Sequence, residues 1–215
     1  MTAPAPAATP TAARPLFGGA IAFAVPPGYR DASDFRQVPD TQEVFVADQS
    51  DTSVIVEILE SVDEGDAGTD LNAAARFHFD ALAHDNAALS SEILTPPQPP
   101  AAPQLLTAAS ASQLPTPNPV IVTGIQTIHK FSHDPSGAPR PGHEGDAPDR
   151  VWIGVALWRC WADLPGAKKR ADVVGSVNVN LSAEGGEAEQ RAVEAWWRQS
   201  VASMRVLDWG LFGDQ

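Results

Sequence analysis

The run "SVIVEILE", Ser53 to Glu60, constrains the fold more than any other stretch of the chain. Successive side chains of an extended backbone point to opposite faces, so Val54, Val56 and Ile58 share one face while Ile55 and Leu59 share the other. A strand that is apolar on both faces belongs inside a sheet covered on both sides. The rest of the chain must therefore supply neighbouring strands for its edges and helices for its faces.

Those elements are legible in order. "GGAIAFAVPP" reads as a strand stopped by Pro26 and Pro27, "YRDASDFR" as a short helical turn, and "QEVFVA" as a strand joined to the Ser53 run through the turn-prone "DQSD". "TDLNAAARFHFDALAHDN" opens with the capping candidates Thr69 and Asp70 and places Leu71, Ala74, Ala75, His78 and Leu82 at helical spacing. Three β-rich runs follow: "VIVTGIQTIHKF", "VWIGVALWRCW" and "DVVGSVNVNL". A final helix lies within "EGGEAEQRAVEAWWRQSVASMR", with Val193, Trp197, Val201 and Met204 on one stripe and Trp196 flanking it. Three strands, a helix, three strands and a helix predict an α+β domain with a six-stranded, mostly antiparallel sheet between helices, an α/β/α sandwich. Residues 1 to 15, rich in Ala, Pro and Thr, read as a disordered tail, and 16 to 215 as one domain. Eight prolines between 95 and 119, and the Pro/Gly-rich "SHDPSGAPRPGHEGDAPD" at 132 to 149, read as long surface loops.

Charge narrows the function. The formal net charge is -13, and from Asp31 to Asp70 twelve acids face one base, Arg36. That balance opposes binding to nucleic acid or to an anionic membrane, both of which demand a dense Lys/Arg footprint. It suits a basic protein partner. No run approaches eighteen apolar residues, and the N-terminal stretch lacks the charged start and apolar core of a leader. A single cysteine, Cys160, excludes an internal disulfide, so the cytosol or nucleus is the expected compartment.

Candidate chemistry thins out on inspection. His129 and His133 have HxxxH spacing, but at the end of a β run they stand roughly 13 Å apart, too far to share a zinc ion. His78, between Phe77 and Phe79, reads as a satisfied core histidine, and Cys160, inside "ALWRCW", as a buried thiol. Ser176 lacks the glycines of a nucleophile elbow, and neither a GxxxxGKS/T loop nor a GxGxxG turn is present. Paired carboxylates could serve a glycosidase, but the aromatic platforms of such clefts are poorly supplied by a chain with one tyrosine, Tyr29. The basic run Lys168 to Arg170 reads as a solvated hairpin loop. The expectation is a protein with no catalytic residue, no cofactor and no metal. On composition alone, its acidic segment is either a solubilising face or a partner surface.

The residues that decide between these are "LFGGA", a strand ending in proline, then "DASDFRQVPDTQEVFV" and "SVIVEILE". "ARFHFDAL", "IGVALWR", "VVGSVNVNL" and a closing "LFG" follow in order. Together they resemble the Ran guanine-nucleotide release factor family, the Mog-one family of nuclear transport proteins, over about two-thirds of the chain. The resemblance implies a monomeric regulator, found in nucleus and cytoplasm, that binds the GTPase Ran, promotes release of its guanine nucleotide and supports nuclear import. The family's functional acids fall in "PDTQEV", which carries over to Asp40 and Glu43; Asp31, Asp34 and Gln42 extend the patch, and Val38, Val44 and Phe45 are its apolar neighbours. The chain departs from the family at Asp80, followed by Ala81 rather than a second acid, and in its long proline-rich loops. The alternative is an acidic adaptor or trafficking protein of the same fold that binds a partner without affecting any nucleotide.

Overall fold

The computed structural model describes residues 12–97 and 103–213, except 131 and 133. Its described residues form eleven strands and two α-helices. Strands β1 (Ala12–Leu16) and β2 (Ile21–Val25) pair antiparallel, and β11 (Arg205–Val206) joins β2 from the far end of the chain. The second sheet holds β3 (Tyr29–Asp31), β4 (Gln42–Ala47), β5 (Ser53–Glu60), β6 (Ser90–Thr95), β7 (Leu106–Thr107), β8 (Val120–Ile128), β9 (Asp149–Leu164) and β10 (Ala167–Asn180). Its order is β3-β4-β5-β10-β9-β8-β6, all antiparallel, with β7 lying parallel to β9 beyond the end of β8.

The doubly apolar β5 sits between β4 and β10, inside the sheet as its pattern demands. Val54 and Val56 enter one core while Leu59 packs against the other. Strand β9 makes the division plainest. Its residues Val151 to Cys160 are all buried, with Trp152, Ala156, Trp158 and Cys160 in the first core and Val151, Ile153, Val155 and Leu157 in the second. Consecutive residues going to different cores means that both faces of the sheet are covered.

Helix α1 (Leu71–Asp85) covers the second core. Asp70 caps it by accepting from the Asn72 N–H at 2.7 Å, which satisfies one of the orphan donors of the first turn. Leu71, Ala74, Ala75, His78 and Phe79 form its buried stripe. Phe79 rests directly on the β8 backbone at Gly124, where an added Cβ would stand 2.3 Å from the ring. Helix α2 (Gly186–Ser203) covers the first core with Val193, Trp197 and Val201, and the adjoining Met204 is buried beside them. Trp197 meets Phe23 of β2 edge to face at 6.0 Å, so this helix is wedged between β2 and the large sheet. Each fully buried side chain of this size contributes roughly 1.5–3 kcal/mol.

Several expectations need correction. The large sheet has eight strands rather than six, and β2 belongs to the smaller one. Strand β6 escaped the pattern because edge strands tolerate polar residues, and only Ile93 of "SSEILT" is even half-buried. Residues 12 to 15, assigned to the tail, form most of β1; Arg14 donates to the Tyr29 carbonyl at 2.6 Å and stacks on Phe45 at 5.2 Å. Residues 1–11 lie outside the described residues, as does His133 of the HxxxH pair. Trp196 is buried rather than flanking, since Tyr29 covers it edge to face at 5.5 Å. The proline-rich stretch buries Leu106 and Leu114 in the first core. Among the described residues, no helix is long and apolar enough to cross a membrane.

Candidate functional site

Three stretches distant in sequence converge at one end of β4. Phe17, Gly18 and Gly19 form the corner between β1 and β2, all with positive φ (52°, 64° and 95°). The chain next passes through the end of β3 at Asp31, a 3-10 turn at Ala32–Asp34, and a loop that enters β4 at Gln42. Leu211, in the 3-10 turn Trp209–Leu211, closes the arrangement from the C-terminal side. Between them lies an open depression of about 440 Å³ lined by Phe17, Gly18, Asp31, Ser33, Val38, Pro39, Asp40, Gln42, Glu43 and Leu211.

Four of the five residues expected to make a partner surface thus line one concavity, and Asp34 lies exposed beside it. Their states differ. Asp31 caps its turn by accepting from the Ser33 N–H at 2.8 Å. Asp40 is exposed. Glu43 is half-buried and accepts the Phe17 backbone N–H, tying β4 to the β1–β2 corner. The Gln42 side chain donates to Glu57, its cross-strand neighbour on β5. Burial pushes the Glu57 carboxyl above its ordinary range, and the Gln42 hydrogen bond opposes that shift.

The apolar neighbours are not those expected. Val44 and Phe45 are buried at 3% and 2% exposure and face away from any partner. Val38 remains half-exposed, and the wall is built from Phe17 and Leu211, both packed against the first core. Close by, Phe35 is 57% exposed, with the Arg30 guanidinium 5.7 Å from its ring centre. The "LFGG" and "LFG" stretches held the signal for Phe17 and Leu211, but nothing in the sequence says that the two ends of the chain meet.

The groups tested for catalysis are committed elsewhere. His78 lies 2.9 Å from Asp172 through Nε2, and Asp172 in turn receives Nε and a terminal nitrogen of Arg159, each at 2.9 Å. All three side chains are buried. Arg159 also donates to the Ala67 and Val62 carbonyls, so this cluster holds the acidic loop 61–70 against the sheet. Burial alone would raise the Asp172 carboxyl, but the hydrogen bonds and charges of Arg159 and His78 outweigh it and hold the group below its usual range. Burial, aided by the charge of Asp172, pushes the Cys160 thiol well up, the opposite of what a nucleophile needs. Ser176 is buried. Of the Lys168 to Arg170 run only Lys168 is solvated as expected: Lys169 is buried and donates to the Phe212 carbonyl at 2.6 Å, and Arg170 pairs with Asp163 at 2.7 Å. Among the described residues, no group of three or more His, Cys, Asp or Glu could hold a metal ion.

A broad, open, acid-rimmed concavity with apolar walls has the form of a protein-docking surface rather than of the enclosed cleft that small substrates occupy. Residues 14–180 match the family described as Ran-interacting Mog1 protein, and the chain belongs to that family. It is 28% identical to a Ran guanine nucleotide release factor of Danio rerio over 214 residues, covering 93% of this chain and 99% of that one. It is 42% identical to the nuclear import protein MOG1 of Saccharomyces cerevisiae over 218 residues, covering 92% and 83%. The crystal structure of the Saccharomyces cerevisiae Ran-binding protein Mog1p superposes with a TM-score of 0.63 and 30% identity, covering 96% of this chain and all of that one.

Proposed function

We propose that this protein binds the GTPase Ran through the depression at the end of β4 and promotes release of Ran's guanine nucleotide, in support of nuclear protein import. The observation that carries the reading is the convergence of Asp31, Asp40, Gln42 and Glu43 on one open concavity in a chain of the Ran-interacting family. The names of its relatives, a release factor and a nuclear import protein, point the same way. In this reading the protein is a monomer that acts in both nucleus and cytoplasm, and its two-faced layering is an α/β/α sandwich.

The mechanism is linkage rather than covalent chemistry, and the protein is a regulator rather than an enzyme. A GTPase grips its nucleotide through a phosphate loop, a lysine and a magnesium ion. A partner that binds the nucleotide-free conformation more tightly must lower nucleotide affinity by the same ratio. Turning a 1:99 population of that conformation into 99:1 demands about 10⁴-fold preferential binding, or about 5.5 kcal/mol. Two carboxylates fall short of this, and the apolar surface of Phe17, Val38, Leu211 and exposed Phe35 supplies area of the kind that anchors interfaces.

The test is release of a fluorescent guanine nucleotide from loaded Ran. Stoichiometric protein should accelerate release well above the spontaneous rate. Binding without acceleration identifies an adaptor, and absence of binding removes Ran as the partner.

A further inference from the structure

Asp40 and Glu43 stand three residues apart in one motif, yet the fold treats them differently. Asp40 is exposed, and among the described residues no hydrogen bond or ion pair engages its carboxylate. Glu43 is half-buried and its carboxylate accepts the Phe17 N–H, a bond between residues 26 positions apart. Phe17 has φ 52°, a left-handed conformation that a residue with a bulky side chain keeps only when its surroundings hold it there. Gly18 and Gly19 continue the corner at φ 64° and 95°, where the missing Cβ removes the strain. The Ala20 N–H closes the corner on the Phe17 carbonyl at 3.2 Å. One residue in this corner therefore carries strain, and the group bonded to its N–H is Glu43. Phe17 is also a wall of the depression, facing the space that Leu211 bounds.

We infer that Glu43 is a positioning residue of the docking surface: its carboxylate holds the Phe17–Gly19 corner that walls the depression, while Asp40 supplies the charge that a basic partner meets. The inference rests on the docking function proposed above and divides that function between the two acids. A neutral acceptor of the same shape can do the work of Glu43 but not that of Asp40.

The test compares Glu43→Ala, Glu43→Gln and Asp40→Asn in the full chain, by titration against Ran and by hydrogen exchange at the Phe17 amide. Glu43→Ala should speed Phe17 exchange by about tenfold or more, since the amide loses its acceptor, and weaken Ran binding by about tenfold. Glu43→Gln should rescue both to within about twofold of the unsubstituted protein, because the amide oxygen still accepts the N–H. Asp40→Asn should weaken binding by about tenfold with Phe17 exchange unchanged. The assignment is overturned if Glu43→Gln binds as poorly as Glu43→Ala while Phe17 stays protected, for the partner then meets the Glu43 charge itself. It is equally overturned if Glu43→Ala leaves Phe17 exchange unchanged. If Glu43→Ala frees Phe17 but no variant alters Ran binding, the corner assignment stands and the docking reading falls.

Discussion

Asp172 and Asp40 are the same side chain put to opposite uses. Asp172 is fully buried, opposite Arg159 in the β9–β10 ladder, and its oxygens are engaged by Arg159, His78, Ser61 and the Val62 N–H. Asp40 projects from a loop into water at the rim of a depression. In the core, a carboxylate matters through the partners it would leave behind. At the rim, under the docking function proposed above, it matters through a partner yet to arrive. Net charge counts the two alike, and only the fold tells them apart.

The largest effect should come from introducing a core carboxylate without the partners that Asp172 has. Val56→Asp places a charge at a position with no exposure, and the protein should be unfolded or insoluble when expressed. Circular dichroism and solubility decide it; a folded, soluble variant would contradict the two-faced burial of β5. Removing a core carboxylate should come next. Asp172→Ala strands the buried Arg159 guanidinium and should cost about 3–5 kcal/mol in a denaturant titration. A loss below 1 kcal/mol would mean that water reaches the cluster.

Acid should act on Asp172 more gently. Its folded carboxyl titrates below the ordinary value, so the stability it confers is complete above the unfolded pKa of about 3.9 and fades as pH falls through the lower, folded value. The midpoint of urea unfolding should therefore fall more steeply below about pH 4 in the unsubstituted protein than in Asp172→Ala.

At the rim the expected change is in binding and not in stability. Asp40→Lys should alter stability by less than about 0.5 kcal/mol, while setting like charges against a basic partner and costing several kcal/mol of affinity. The same reversal at Asp63 and Glu64, exposed in the loop beyond β5, should weaken Ran binding far less. Equal losses at both places would reduce the depression to general acidity. The smallest effect is kinetic: raising salt should slow association with Ran, because steering by the acids between Asp31 and Asp70 is screened beyond a Debye length of about 8–10 Å.

What could be read from sequence follows from the range of the forces involved. The interior place of β5, the Asp70 cap and the buried stripes of α1 and α2 are local patterns, and each is visible within a dozen residues. Asp40 and Glu43 were marked by the family resemblance, because "PDTQEV" lies in one continuous stretch, and the fold sets both at the depression. Phe17 and Leu211 could not be assigned to the site, since they meet across nearly the whole chain. Nor could the Arg159–Asp172 pair, because charged residues in alternating strands read as facing water until the register sets them opposite each other under α1. Strands β3, β6 and β7 were missed because short or polar edge strands gain their order from neighbours rather than from their own composition.

The β9–β10 hairpin also has a consequence in time. Its pairs run from Leu164 with Ala167 outward to Val151 with Asn180, so each closure spans no more than thirty residues and each pair brings the next within reach. The contacts of β5 with β10 close loops of more than a hundred residues, and those of β11 with β2 close nearly the full described length. Loop-closure entropy grows with that separation. By this measure the local hairpins β1–β2, β4–β5 and β9–β10 close first, β8 then joins β9, β5 joins β10, and β11 reaches β2 last. The Phe17–Gly19 corner is the local turn between β1 and β2. The depression proposed to meet Ran is thus complete only when that last closure brings Leu211 to a corner already formed, and its C-terminal wall is the part whose loss would leave the hairpins intact.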